Sequence, residues 1–335
     1  MAEDYDAFLL VSFGGPERPE DVMPFLDNVL RGRNVPAERK REVADHYMRF
    51  EGRSPLNDQN RALVAGLRAE LDAHSLRLPI YWGNRNWHPF LADTLREMAR
   101  DGVRRAVAFV TSVFSSYSGC RQYLEDIAAA RADVGAAAPE IEKLRAPFDH
   151  PGFIDACAER LRTARAELAD PLAPVVFTAH SLPSTMAASC AYEAQFREVA
   201  RLVAERVAAS QWSLAYQSRS GPPSQPWLEP DVNEELRRLA GEGAAAAVVA
   251  PIGFLSDHME VVYDLDIAAR ATSEAVGLNL VRAGTVGTHP SLVAAIRELV
   301  QERNDGAPRR TLGRLEALPD RCPDDCCPAR PSRQS

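Results

Sequence analysis

Short apolar runs alternate with helix-patterned segments along this chain, and the alternation runs twice. Residues 5–13 (YDAFLLVSF), 79–83 and 105–112 read as buried strands. After a break come 174–180 (PVVFTAH), 212–218 (WSLAYQS), 244–252 and 278–282. Helical spacing covers 19–31, 37–50, 58–72, 88–100 and 121–132 in the first round. In the second it covers 152–168, 190–209, 230–240, 259–275 and 290–304. Strands that are apolar throughout, each followed by a helix, require a parallel sheet covered on both faces. The pattern therefore predicts an α/β chain of two doubly wound, Rossmann-like parallel-sheet domains, residues 1–150 and 151–310, with a cleft between them. Residues 133–150 lack periodicity and read as a connector. Residues 311–335 read as a cysteine-bearing tail, ordered only if its thiols bind something.

Charge narrows the function. A formal charge of −8 and a pI near 5.5 argue against a nucleic-acid partner, which would select a basic face. No apolar run reaches the length of a membrane span, and the first residues, MAEDYDAF, are acidic. The expectation is a cytoplasmic protein, monomeric, without a membrane segment. Nucleotide chemistry and acyl transfer lose ground. There is no phosphate-cradling Walker loop or G-x-S-x-G elbow, and Gly241-Glu242-Gly243 follows a helix and precedes a strand, the wrong order for a dinucleotide fingerprint.

Ligands of doubly wound sheets lie beyond the carboxyl ends of the strands. Those ends carry Gly14-Gly15-Pro16, 85–88, 115–123, His180-Ser181, 217–230 and 257–260. The stretch PIGFLSDHMEVVYDLD (251–266) is the most charged of them. Asp257, Glu260 and Asp264 stand at i, i+3 and i+7, one face of a helix. A capping box, with Asp257 at the N-cap and Glu260 at N3, accounts for part of this pattern. A metal ion or a proton-transfer site accounts for the rest. His180 closes its strand as TAHSLP, where an imidazole can take a proton or hold a borderline metal; a satisfied core histidine is the plain alternative. Arg31, Arg33 and Ser54 would suit a carboxylate-bearing ligand. Phe13, Trp87, Tyr117, Tyr123, Tyr216 and Trp227 would suit a flat apolar one, although each alone reads as packing. Three of the six cysteines, Cys322, Cys326 and Cys327, crowd the tail, which in a reducing compartment favours a metal or iron–sulfur site over disulfides.

The segments LLVSFGGPE, HYMRFEGRSPLN, FTAHSLP, YQSRSGPPSQPWLEPD and PIGFLSDHMEVVYDLD resemble, in the same order, the signature segments of the ferrochelatase family, over residues 8–266. The resemblance implies insertion of ferrous iron, as substrate, into a porphyrin held between two Rossmann-like domains. It implies His180 and Glu260 as the metal-site pair and Asp264 as the next acidic position. Which of the pair is base and which is ligand stays open. Ser54 and Tyr123 match porphyrin-contacting positions, joined by Arg31 and Tyr47. Phe13 stands where many bacterial relatives have a tyrosine, so an axial phenol is missing. The resemblance further implies a two-iron, two-sulfur cluster on Cys322, Cys326 and Cys327 with an internal cysteine. Cys120 is the better match for that ligand and Cys157 its rival; a tail with incidental thiols is the alternative. The FGGPE and YSGCRQYLED segments look like the actinobacterial type, which implies coproporphyrin III as the porphyrin. Protoporphyrin IX, a more acidic sirohydrochlorin-type tetrapyrrole and a non-catalytic porphyrin or haem chaperone remain the competing readings.

Overall fold

The computed structural model describes residues 5–32, 35–222 and 224–329. It contains two four-stranded sheets, each wholly parallel, with helices on both faces, as the doubly wound reading requires. The first runs β2-β1-β3-β4, with β1 Ala7–Ser12, β2 Ile80–Asn84, β3 Arg105–Val110 and β4 Glu140–Lys143. The second runs β6-β5-β7-β8, with β5 Val175–His180, β6 Trp212–Gln217, β7 Ala246–Ala250 and β8 Asn279–Arg282. The two halves share one strand order. In both, the first strand sends the chain to one side and then receives it on the other.

Burial follows the same logic. Every residue of β1 and of β7 is buried, because both are central strands covered on two faces. The strand β4 lies inside the segment read as a connector. Its sequence, EIEK, offers one apolar residue, and it sits at a sheet edge with no fully buried position, so the hydrophobic pattern could not reveal it.

The helix that follows the last strand of each sheet crosses: the one after β4 opens the second half and packs there, and the one after β8 returns to the first. Helix Pro151–Arg165 packs on helix Tyr192–Arg206 and against β7 and β8. Helix Pro290–Asn304 packs on helix Leu56–Ala73 of the first half. One continuous apolar cluster results, running from Phe8, Leu10 and Phe109 through Phe153, Ile154 and Leu161 to Phe177, Phe196, Leu292 and Ile296. Each such side chain removed from water contributes roughly 1.5–3 kcal/mol, so the exchange ties the halves firmly. Both crossing helices start with a His-Pro pair, in which His150 and His289 accept the backbone N–H of Gly152 and Ser291.

The tail is anchored by more than its thiols. Leu312 N–H donates to the Asp149 carbonyl, Arg314 N–H donates to the Glu198 carboxylate, and Leu312, Leu315 and Leu318 pack on the shared core. These contacts hold the tail in addition to anything its thiols bind.

Candidate active site

Each sheet has a switch point, between β1 and β3 and between β5 and β7, where chains leave in opposite directions and a crevice opens beyond the strand ends. His180 is the last residue of β5, and the loop carrying 251–258 leaves β7. That loop lies directly on β5: Gly253 N–H donates to the Thr178 carbonyl at 3.0 Å. A Cβ at Gly253 would stand 2.5 Å from the Ala179 Cβ, so only glycine lets the two backbones approach this closely. The loop then delivers Glu260 to His180.

His180 Nε2 lies 3.5 Å from Glu260 Oε2. Its Nδ1 lies 2.6 Å from the Ser181 carbonyl oxygen, which can only accept, so Nδ1 carries a proton and Nε2 is the atom presented to Glu260. Tyr192 O–H donates to the His180 carbonyl at 2.7 Å and fixes the end of β5. The two side chains remain 31% and 50% exposed, so the pair lies in an open groove that a ligand can enter. Burial opposes charge on both groups, yet the mutual hydrogen bond and attraction prevail. Glu260 is held down at about 2 and His180 is raised above its usual value. Asp264 behaves oppositely. Burial pushes its carboxyl up to about 6, helped by the neighbouring Glu260 charge and only partly offset by a hydrogen bond from Ser218. His180, Glu260 and Asp264 are therefore one electrostatic unit, in which Glu260 is ionised, His180 is biased toward its charged form and Asp264 is biased toward its neutral one.

Asp257 does not cap this helix. The helix begins at Met259 with His258 at the N-cap and no side-chain cap. Asp257 instead receives both guanidinium nitrogens of Arg282, at 3.0 and 3.1 Å, and the same guanidinium holds Asp266 at 2.8 Å. The capping-box reading is thus overturned, because an arginine at the end of β8 offers the carboxylate a stronger, bidentate partner than a backbone N–H. The helix is also not uniform, since Tyr263–Ala269 forms wide π-type turns. These turns separate Asp264 from Asp257, which the plain i, i+7 spacing had placed on one face.

The first half covers this unit from above. Met259 is buried among Val22, Phe25, Leu26, Ala44 and Tyr47. His46 stacks on Tyr263 at 3.7 Å, and Arg49 lies over the same ring. Sequence reading gave none of His46, Arg49 and Tyr263 a role, for stacking between distant segments leaves no local pattern. Tyr47 is buried edge-on to Phe25, near enough to Glu260 for that carboxylate to oppose its ionisation after burial has done most of the work. Phe13, 37% exposed, meets the other side of Phe25 at 6.2 Å. An aromatic floor thus runs from Phe13 through Phe25 and Tyr47 to Glu260.

Beside Phe13, Arg85 extends its guanidinium over Tyr123 at 4.7 Å and pairs with Asp126 at 2.9 Å. Arg85 was legible only as a residue at a strand end. Ser54 is buried against Gly15, whose Cβ would meet its Oγ at 2.9 Å, and Tyr123 is buried beneath Arg85. Arg31 is exposed and donates to Asn28 at 2.6 Å, away from the His180 pair; Arg33 lies outside the described residues.

The tail thiols gather at a second place. Cys326 and Cys327 have sulfurs 3.7 Å apart, and Cys120 donates to Cys322, raising its own thiol and lowering that of Cys322. Arg121 holds the tail there by donating to the carbonyls of Cys326 and Pro323. Cys157 is elsewhere, buried in helix Pro151–Arg165, its thiol raised by burial alone. Among the described residues no group of three or more His, Cys, Asp or Glu side chains is arranged to hold a metal ion, and no helix is long and apolar enough to cross a membrane.

Comparison with known proteins follows the same lines. The family model described as Ferrochelatase matches residues 5–304. A ferrochelatase of Rhodopirellula baltica is 54% identical over 98% of this chain and 95% of its own length. A coproporphyrin III ferrochelatase of Frankia alni is 56% identical over 98% of this chain and 88% of its own, and one of Nocardia farcinica is 49% identical over 96% of each. Among solved structures, SirB from Bacillus subtilis with Fe3+ superposes with a TM-score of 0.57 at 13% identity, covering 90% of this chain and 96% of that one. CbiX, the terminal enzyme for siroheme biosynthesis in denitrifying bacteria, reaches 0.51 at 15% identity, covering 88% and 98%. At such identities the likeness speaks for the fold.

Proposed function

The chain belongs to the ferrochelatase family, and from that premise we propose that it inserts ferrous iron into coproporphyrin III in haem biosynthesis, as a cytoplasmic metal chelatase of the lyase class. Residues 1–150 and 151–310 serve as its two domains. The observation that carries the reading is the His180–Glu260 pair, 3.5 Å apart in an open groove, with Asp264 behind it. A non-catalytic porphyrin carrier has no use for a charged pair aimed into its ligand groove.

Insertion releases two pyrrole protons and strips the iron of its waters, with no electron transferred. Glu260, ionised throughout the physiological range, receives the metal. Ferrous iron brings two positive charges beside the imidazole, and at roughly 4 Å each repels an imidazolium charge by about 4 kcal/mol at an effective dielectric near 20. Any proton on Nε2 therefore passes to solvent water as the metal arrives, which leaves His180 Nε2 free to take one from a pyrrole nitrogen. Asp264, poised at about 6, accepts the next. Carboxylate and water oxygens bind iron loosely enough to give it up, which a thiolate cage would not. Phe13, Tyr47, Tyr123, Ser54 and Arg31 are assigned to the porphyrin. Coproporphyrin III carries four propionates where protoporphyrin IX carries two, and exposed Arg31 is the cation assigned to meet them, Arg85 being buried against Asp126 and Tyr123. In a continuous absorbance assay, kcat/KM with coproporphyrin III should exceed that with protoporphyrin IX at least tenfold. Equal values would overturn the substrate assignment, and no turnover with either would overturn the enzyme.

A two-iron, two-sulfur cluster would draw on Cys120, Cys322, Cys326 and Cys327, which approach one another as two pairs, and not on Cys157, which is buried in helix Pro151–Arg165. Those four would hold it, and when bound it would supply thiolate-ligated iron that cross-links the tail to the 112–121 loop. Protein purified anaerobically should be brown, with acid-labile sulfide near two per chain. Colourless protein without labile sulfide would leave the thiols incidental.

A further inference from the structure

Gln217 ends β6 and is 1% exposed, yet neither its Nε2 nor its Oε1 has a hydrogen-bond partner. It is the register partner of His180 across the parallel β5–β6 pair, so the two side chains leave the same face of the sheet. That face lies under the helix bearing Glu260 and the wide turns bearing Asp264, packed by Val261 and Leu265. The next residue, Ser218, takes a left-handed backbone (φ 63°) and donates its hydroxyl to Asp264. A strained residue and an unused carboxamide thus adjoin the metal-site unit, and both cost stability in the resting protein. A buried polar group left unsatisfied calls for an explanation, and beside a metal-site unit a functional one is the first to test.

We propose that Gln217 is a positioning residue for the incoming iron: its carboxamide, closed to water in the resting protein, hydrogen-bonds a water of the ferrous ion's shell that enters beneath the pair as the ion reaches His180 and Glu260. The chemistry suits that task. A neutral amide offers an acceptor and a donor without adding charge, so it orients bound water yet does not compete with Glu260 as a ligand. His180 and Glu260 lack such a group, since the free face of each is committed to the other. The inference rests on the chelatase reading given above.

Its test is Gln217→Leu, which keeps the volume and removes the unpaired amide. The melting temperature should hold or rise, because a buried unsatisfied group is lost. Binding of Zn(II) or Co(II) to the porphyrin-free protein, followed by calorimetry, should weaken at least tenfold, and KM for ferrous iron should rise in step. KM for porphyrin should stay within twofold. Thr178→Val removes another buried, unpartnered polar atom two residues deeper on β5 and should leave metal binding unchanged. A merely structural role for Gln217 predicts the reverse, a lower melting temperature with metal affinity within twofold, and that result would overturn the proposal. If Gln217→Leu does not fold, Gln217→Met carries the same comparison. Wild-type protein that binds metal but turns over no porphyrin would fail the functional reading alone. Wild-type turnover with unaltered metal affinity in the variant would fail this inference alone.

Discussion

Replacing His180 by alanine or Glu260 by glutamine is expected to lower iron insertion by on the order of 10²–10⁴-fold, the range removed with a single proton-transfer group. Both variants should stay folded. The two side chains are 31% and 50% exposed, and an ion pair so open to water is worth about 0–1 kcal/mol to stability. Porphyrin binding, read by fluorescence quenching, should survive, because the aromatic floor of Phe13, Phe25 and Tyr47 does not depend on either residue. Turnover within threefold of wild type in either variant would remove the pair from the mechanism.

The same pair fixes a pH signature. Glu260 titrates below its unfolded value, at about 2, so its contribution to stability is complete above the unfolded carboxylate range and fades as pH falls toward 2. His180 titrates above its unfolded value, so its contribution is complete below the unfolded imidazole range and fades as pH rises through the raised one. The ion pair is therefore fully formed in mildly acidic solution. In Glu260→Gln the raising partner is gone and burial dominates, which should drop the His180 titration below the ordinary imidazole value. Imidazole proton shifts followed by NMR through pH 5–8 would show it, and an unmoved midpoint would contradict the pairing.

How much of this was legible without coordinates depended on the range of each interaction. Seven of the eight strands announced themselves, because each carries an apolar run that the sequence repeats, most plainly in the central strands β1, β3, β5 and β7. The eighth, β4, is an edge strand written EIEK, whose pairing is made by backbone atoms that carry no side-chain signature. His180 and Glu260 were singled out because strand ends in doubly wound sheets select for chemistry, and the fold brings the two within 3.5 Å. Asp257 was misread because its true partner, Arg282, is 25 residues away, and a local capping rule cannot see a distant guanidinium. The wide turns at Tyr263–Ala269 were likewise invisible, since a π-type turn changes the backbone register without changing the apolar spacing that announces a helix. Arg85 and Gln217 stood at named strand ends, yet only the packing around them, a ring stack in one case and an empty hydrogen-bond shell in the other, sets them apart.

Arg145→Ala is expected to destabilise the protein by roughly 3–5 kcal/mol, the usual result of stranding buried charges. Arg145 is 3% exposed and donates to Asp149 at 2.6 Å, bidentately to Glu302 at 2.8 Å, and to the Arg310 carbonyl at 3.1 Å. It thereby joins the segment after β4 to the crossing helix Pro290–Asn304 and to the tail. Asp149 is wholly buried, and burial already pushes its carboxyl upward against the guanidinium's pull, so removing Arg145 leaves a carboxylate that must either protonate or unfold its surroundings. A total stability of about 5–15 kcal/mol would lose a fifth or more. In urea the midpoint should fall while the slope holds, since the surface exposed on unfolding is unchanged. Arg145→Lys, which keeps the charge but not the fork, should lose less. Adding Asp149→Asn and Glu302→Gln to Arg145→Met should recover part of the loss, because no buried charge then lacks a partner. Below its lowered midpoint Arg145→Ala should still insert iron, for the network lies behind the crossing helices and touches neither His180 nor Glu260. A variant with native stability would show that the halves are held by apolar packing alone.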